Sequence, residues 1–114
     1  MQTPGQAQLL RIFIGEDDRD GDGRPLYEAI VLKARSMHLA GATVLRGGLG
    51  YGHSSRLHTT KILRLSEDLP LVVEIVDSED KISAFLPVLD TMMTSGLVTL
   101  EKVQVLHYGA PPGA

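Results

Sequence analysis

The stretch Leu69-Pro-Leu-Val-Val-Glu-Ile-Val-Asp77 is the clearest strand pattern in this chain of 114 residues. Side chains alternate along a strand, so one face carries Leu71, Val73 and Ile75, and the other carries two valines on either side of Glu74. Both faces are therefore largely apolar. A strand of this kind predicts a sheet that is covered on both sides.

A helix is predicted directly after this strand. Asp77 or Ser78 can cap its first turn, because a short polar side chain accepts hydrogen bonds from free backbone N–H groups there. An apolar stripe then recurs every three or four residues and ends near Gly96. Its members are Ile82, Phe85, Leu86, Leu89, Met92 and Met93.

The same strand and helix types occur earlier in the chain. The run Leu9 to Ile14 predicts a first strand, and a helix with Pro25 at its first position is expected to end at Gly41. Thr43 to Leu45 and Thr59 to Leu65 predict two further strands, arranged as a hairpin-like pair around the intervening loop.

A last strand, between Val98 and Leu106, completes the order β-α-β-β-α-β. This order predicts a ferredoxin-like α+β fold, with two helices on one face of an antiparallel sheet. The second sheet face then has no cover of its own, and self-association is the expected solution. We expect a single domain over residues 1–114, with a core of about residues 8–108 and loose tails.

Composition narrows the class of protein. The net charge is -3, there are no cysteines, and no apolar run has the roughly 20 residues that a membrane-spanning helix needs. The N-terminus lacks the basic start and apolar core of a signal peptide, so a cytoplasmic location is expected. A basic surface for nucleic acid is not predicted, and neither is direct membrane insertion.

The segment Gly41 to Ser55 contains four glycines within residues 47–52. Gly48, Gly50 and Gly52 do not have the G-x-G-x-x-G spacing, so a dinucleotide fingerprint is excluded. A glycine turn can still hold an anion through successive N–H groups, here with Arg46, His53 and Arg56 nearby. The alternative is a bulged hairpin without a ligand.

Other candidate sites are weaker. The acidic loop Asp18-Arg-Asp20-Gly-Asp22-Gly23 begins like a calcium loop, but Ala29 stands where the bidentate carboxylate belongs. A solvated acidic turn is favoured over calcium. His53 and His58 lack close ligand partners, and Ser54 lies in no nucleophile elbow, so neither a metal nor a catalytic residue is predicted.

Several phrases of the sequence resemble the P-II signal-transduction proteins. These are Gly41-Ala-Thr-Val44, Gly50-Tyr-Gly52 and the strand Leu69 to Asp77. More closely, residues 9–108 look like the P-II-like family known as "domain of unknown function 190". Arg24-Pro-Leu-Tyr-Glu-Ala-Ile-Val31, Gly41-Ala-Thr-Val-Leu-Arg-Gly47 and Lys61 to Pro70 carry that match.

The resemblance implies a homotrimer whose sheets face inward, with ligand clefts between subunits. It implies an adenine nucleotide as effector, contacted by Gly50, Tyr51, Gly52 and His53 at the base of a short loop over residues 52–58. Ser95 to Lys102 stands at the position of the second P-II ligand loop, and it lacks the arginine and most glycines of that loop.

The resulting hypothesis is a regulatory protein, not an enzyme, that senses a small anionic ligand and signals through the short loop. Arg46, Arg56 and Lys102 are its candidate cations. The resemblance also implies a membrane transporter as partner. Two alternatives stay open, namely a constitutive trimeric interaction module without ligand sensing and a small enzyme that uses His53, Ser54 and Arg56.

Overall fold

The computed structural model describes residues 5–51, 57–59 and 69–109. Its helices are α1 (Leu26–Ser36) and α2 (Glu79–Met92). Its strands are β1 (Gly5–Gly15), β2 (Thr43–Arg46), β3 (Leu49–Tyr51), β4 (Leu57–Thr59), β5 (Pro70–Asp77) and β6 (Leu97–Val105).

Four of the strands form one sheet in the order β2-β5-β1-β6, with every neighbouring pair antiparallel. Strands β5 and β1 therefore lie in the middle of the sheet, and β2 and β6 form its edges. This is the topology of the ferredoxin-like fold. The predicted fold class is confirmed.

The core lies between the two helices and one face of this sheet. The register pairs Leu10 with Ile75 and Ile12 with Val73, so every second residue of each strand lies on the helix-covered face. All four are at most 1% exposed. The helices contribute Leu26, Ile30, Ala34, Ile82, Phe85 and Leu89 to the same cluster. This burial is the principal favourable term holding the helices on the sheet.

The other sheet face, called the open face below, carries no described helix and is partly apolar. One row of cross-strand neighbours runs from edge to edge through Leu45, Val72, Phe13 and Leu97. Its two outer members are 49% and 57% exposed. An apolar row of this length on an exposed sheet face is typical of an interaction surface.

Arg11 lies at the centre of the open face. Its Nε donates to the Glu74 carboxylate at 3.0 Å, and its Nη1 donates to Glu101 at 2.5 Å. The hydrogen bond to Glu74, with both carboxylate charges, raises the pKa of Arg11 above its ordinary value. The guanidinium thus connects β5 and β6 across β1.

Helix α1 ends five residues before the expected stop at Gly41. His38 adopts φ +63° and takes the left-handed position that a glycine usually occupies after a helix. The His38 N–H donates to the Arg35 carbonyl at 3.0 Å, and the Leu39 N–H donates to the Ala34 carbonyl at 3.1 Å. These two bonds define a Schellman motif, so the prediction that Gly41 ends the helix is wrong.

Helix α2 begins as predicted, with Ser78 as N-cap accepting from the Lys81 N–H at 3.4 Å. Asp77 beside it is fully buried and accepts from the backbone N–H groups of Ala40 and Ser78 at 2.8 and 2.7 Å. Burial alone raises the pKa of Asp77, but these N–H donors are among the causes that lower it, and its pKa lies below the ordinary value. The carboxylate joins the start of α2 to the connection after α1.

The hairpin around the glycine segment differs from the predicted pairing. Strand β2 pairs with β5, because Thr43 lies opposite Glu74 and Arg46 lies opposite Leu71. The hairpin arms are instead β3 and β4, with Leu49 opposite Thr59. Residues 60–65 of the predicted second arm lie outside the described residues.

No helix in the described part of the chain has both the length and the apolar character needed to cross a membrane.

Candidate functional site

One end of the sheet gathers the segments that the sequence marked as functional. The register places Gly15 opposite Pro70, Arg46 opposite Leu71 and Phe13 opposite Leu97. The end of β1, the end of β2 and the starts of β5 and β6 therefore lie together. The acidic loop, the β3-β4 hairpin and the turn between α2 and β6 all connect at this end.

The base of the hairpin is held tightly against β5. The Gly47 N–H donates to the Pro70 carbonyl at 2.7 Å, and on the other side of β5 the Glu16 N–H donates to the Leu69 carbonyl at 2.8 Å. A Cβ at position 47 would lie 2.9 Å from the Pro70 Cγ. Gly47 is therefore needed for close approach, which explains one glycine of the cluster without a ligand.

Arg46 is a cation at this end of the sheet, and it forms an ion pair with Glu16. Its Nη2 donates to the Glu16 carboxylate in an ion pair that spans the start of β5. The Arg46 side chain is 56% exposed and the Glu16 side chain 25% exposed. Arg46 is thus accessible to a ligand from solvent, but a carboxylate already occupies it.

The acidic loop is organised by its own backbone. The Asp20 carboxylate accepts from the N–H groups of Arg24 and Asp22 at 2.8 and 2.9 Å and from the Arg24 Nε at 3.0 Å. The bond from the Arg24 N–H is the main cause that lowers the pKa of Asp20. Asp18 likewise accepts from the Gly15 N–H at 2.9 Å. These contacts build a turn of the kind expected from the sequence.

No group of three or more histidine, aspartate or glutamate side chains within the described ranges has the geometry to hold a metal ion.

The turn between α2 and β6 borders an open cleft of about 760 Å³. Its apolar wall includes Leu86, Pro87, Met93 and Val98, and its described lining contains no lysine or arginine. Pro87 lies inside α2 and has no N–H for the Ser83 carbonyl. The C-terminal half of α2 leaves the edge strand partly uncovered, and Val98 on its helix-facing side is 38% exposed.

Gly96 fixes the shape of this turn. It adopts φ +116°, and a Cβ there would lie 2.7 Å from the Phe13 carbonyl oxygen. The sequence pattern indicated Gly96 as the end of a helix, and the family resemblance placed it in the segment Ser95 to Lys102. Its second role, a close approach to β1, depends on strand pairing that the local sequence does not reveal.

The predicted ligand residues are divided between the two edges of the sheet. Gly50 and Tyr51 lie in β3, which follows the edge strand β2 that ends at Arg46. Lys102 lies in β6 at the opposite edge, three strand spacings or about 14 Å away across the sheet, and its register with Gln8 and Asp77 puts it about 20 Å further along the strands. Gly52, His53 and Arg56 lie outside the described residues. One chain therefore does not bring Lys102 and Arg46 together, and the assignment of all seven residues to a ligand site stays a prediction.

Glu16 is the residue at this end that the sequence did not single out. It stands first in the run Glu16-Asp-Asp18, directly after a predicted strand. Its proximity to Arg46, 30 residues away, depends on both strands flanking β5.

Comparison with known proteins identifies relatives by sequence and a solved structure with a similar fold. A UPF0166 protein of Aquifex aeolicus is 41% identical over 102 residues, covering 90% of this chain and 95% of its own length. A UPF0166 protein of Methanocaldococcus jannaschii is 33% identical over 101 residues, covering 88% and 92%.

Among solved structures, the fold is similar to that of CPII, a nitrogen regulatory PII-like protein from Thiomonas intermedia K12. The structure of CPII bound to ADP, AMP and bicarbonate has a TM-score of 0.62 and 15% identity, over 92% of each chain. The structure bound to ADP and bicarbonate has a TM-score of 0.57 and 17% identity, over 92% of this chain and 93% of CPII. At this identity the likeness concerns the fold, which is thus PII-like.

The profile of the DUF190 family, described as uncharacterized ACR, COG1993, matches residues 7–105, so this chain belongs to the DUF190 family.

Proposed function

We propose that this protein is a P-II-like regulator that binds an adenine nucleotide between subunits of a trimer and signals through its short hairpin loop. The observation that carries the proposal is the sheet end at which Arg46, the Gly47 contact with Pro70 and the Gly96 turn lie together. In the proposal the protein acts in the cytoplasm and catalyses no reaction.

Assembly follows from the open face. The row from Leu45 to Leu97 would be covered if three copies turned this face toward a common axis, which closes the assembly without leaving an apolar patch. The Arg11 ion pairs with Glu74 and Glu101 satisfy the charged groups that such an interface would enclose.

The ligand class is supported by the fold neighbour and by charge. CPII was solved with ADP, with AMP and with bicarbonate. In this chain Arg46 is an accessible cation beside the hairpin base. Lys102 stands on the opposite sheet edge, so in our proposal it reaches the site from the neighbouring subunit.

Signalling requires a difference between two loop states. The segment between β3 and β4 begins six residues after Arg46, so in our proposal a ligand held at Arg46 contacts the base of the loop. A ligand that binds one loop arrangement more tightly shifts the population toward it. The family resemblance makes a membrane transporter our proposed receiver of that signal.

A second function, a constitutive trimeric module, is favoured by one observation. Arg46 is already neutralised by Glu16, and the lining of the cleft beside Gly96 includes the carboxylate of Asp90 but no described cation. A phosphate entering this region meets less positive charge than phosphate sites usually provide.

Calorimetric titration of the full chain with ADP, AMP and ATP tests the proposal. We expect saturable heat with at least one nucleotide, a weaker affinity in Arg46→Gln and an unchanged affinity in Arg35→Gln, an exposed position on α1. A trimer that takes up none of the three nucleotides would favour the constitutive module. Phosphate release that is lost in His53→Ala would favour the enzyme.

A further inference from the structure

We infer that Glu16 is a built-in competitor of the ligand, because its carboxylate occupies an Nη2 donor of Arg46 that an anionic group would otherwise use. The inference rests on the proposed function, because it assigns a selecting role to a residue at the same site. It identifies an acidic side chain as a determinant of anion affinity, in addition to the glycines and cations.

The position of the ion pair supports this role. Glu16 follows β1 and Arg46 ends β2, and both strands are hydrogen-bonded to β5 between them. The N–H of Glu16 is bonded to the Leu69 carbonyl, and the N–H of Gly47, the residue after Arg46, is bonded to the Pro70 carbonyl. Two consecutive residues, Leu69 before β5 and Pro70 at its start, thus bond the backbones on both sides. These bonds hold both backbones beside the start of β5, and the ion pair joins the two side chains there.

The exposures define how a ligand would enter. The Arg46 side chain is 56% exposed, so its guanidinium has donors directed toward solvent in addition to the one bonded to Glu16. An arriving phosphate or carboxylate is therefore able to meet Arg46 before Glu16 leaves. Two-point binding that uses the Nη2 donor held by Glu16 requires this carboxylate to rotate away.

The negative charges of the loop that follows Glu16 also repel an incoming anion. Residues 16–22 contain five carboxylates and one arginine. The carboxylate of Asp20 is neutralised by Arg24. Glu16 brings its charge closest to Arg46, so its removal has a larger effect on anion affinity than removal of a more distant carboxylate in the same loop.

The displacement also connects ligand binding to the hairpin. Arg46 precedes the hairpin base by one residue, whereas Glu16 belongs to the loop after β1. While the ion pair is closed, it connects the hairpin base to that loop. An anion that takes over Arg46 removes this connection, which gives the two states of the hairpin different contacts.

A double-mutant cycle with ADP as probe tests the inference. We expect Glu16→Gln to tighten ADP binding about two- to fivefold, within the range that an exposed ion pair supplies. Arg46→Gln should weaken binding, and adding Glu16→Gln to Arg46→Gln should produce no gain. Asp22→Asn removes one negative charge from the same loop and is the matched control, with an expected change of less than about twofold.

Circular dichroism and a thermal melt of each variant establish that the fold is retained. If the wild type binds ADP and Glu16→Gln binds it equally or less tightly, the competitor role is overturned while the nucleotide proposal stands. If Asp22→Asn tightens binding as much as Glu16→Gln, the effect comes from the total negative charge of the loop, and the specific competitor role of Glu16 is overturned. If the wild type binds none of ADP, AMP and ATP, the proposed function fails together with the inference.

Discussion

The Cα of Gly96 lies against the backbone of Phe13, so that a Cβ at position 96 would be 2.7 Å from the Phe13 carbonyl oxygen. The same Cβ would be 2.8 Å from the Met93 Cε. The Met93 side chain is flexible and can move away. The Phe13 carbonyl belongs to the backbone of the central strand β1 and cannot move without disturbing the sheet. The turn that leads from α2 into β6 thus depends on a residue without a side chain.

Gly96→Ala should destabilise the protein by about 2–3 kcal/mol, because the substitution adds backbone strain at φ +116° to this clash. Urea unfolding followed by circular dichroism measures the change. Gly48→Ala is the control, since nothing lies within 4 Å of its added Cβ and its φ is not positive. Equal stability of the two variants would show that the turn adapts freely.

His38→Gly should stabilise the protein by about 0.5–1 kcal/mol. A left-handed backbone costs a residue with a Cβ about 1–2 kcal/mol, and glycine regains part of this cost after its larger unfolded-state entropy is subtracted. The Lys81 Nζ contact at 3.3 Å is made to the backbone carbonyl of residue 38 and survives the substitution. A lower melting temperature in His38→Gly would contradict the assignment of the strain. Gly41→Ala, at a position with open space, should leave it unchanged.

The sequence patterns predicted some elements of the fold and not others. The period of two in β5 and the apolar stripe of α2 are local signals, so both elements and the ferredoxin-like order were predictable. The end of α1 was not, because His38 takes the left-handed position that a glycine usually occupies, three residues before the expected stop at Gly41. Strand β2 was assigned to the hairpin because its sequence specifies a strand but not its partner, and β5 lies more than 20 residues further on.

The candidate site was predictable only in part. The glycine segment and Arg46 were identified from composition and from family resemblance. Glu16 was missed because a carboxylate in an acidic run has no distinguishing local signal. Only the arrangement of β1 and β2 on either side of β5 brings it to Arg46.

Asp77→Asn should destabilise the protein by about 1–3 kcal/mol at neutral pH, because a buried carboxylate that accepts two backbone N–H bonds becomes an amide with one acceptor oxygen. Unfolding in urea measures the change. Asp90→Asn, at an exposed position on α2, should have an effect within about 0.5 kcal/mol.

The same carboxylate gives a pH dependence with a defined sign. Its folded-state pKa is lowered, so its stabilising contribution is fully present above the ordinary aspartate pKa of about 3.9 and is lost as pH falls through the folded value. The difference in unfolding free energy between wild type and Asp77→Asn should therefore shrink in urea titrations below about pH 4. A difference that grows in acid would contradict the lowered pKa.

Val72→Asp should disrupt self-association while the subunit stays folded. Val72 lies in the middle of the apolar row on the open face, so a carboxylate there would be enclosed without a partner on assembly. Size-exclusion chromatography with light scattering should give the mass of one 12.3 kDa chain for this variant and three times that mass for the wild type. Leu32→Asp, 50% exposed on α1, should remain trimeric. A wild-type protein that is monomeric at all concentrations would remove the basis for a shared ligand cleft.

Mixing two variants with weakened ADP binding tests whether Arg46 and Lys102 contact one ligand from neighbouring subunits. Arg46→Gln and Lys102→Gln should each weaken ADP binding, yet the two residues lie on opposite edges of the sheet within one chain. If each site uses Arg46 of one subunit and Lys102 of the next, subunits exchanged at equal amounts should regain intact sites in about one quarter of the clefts. Calorimetry on the exchanged mixture would then detect a tight fraction absent from either variant alone. If both residues served a site within one chain, every site in the mixture would carry one defect and no tight fraction would appear. If Lys102→Gln alone bound ADP normally, Lys102 would have no place in the site, and the cation that completes it would have to come from another part of the chain.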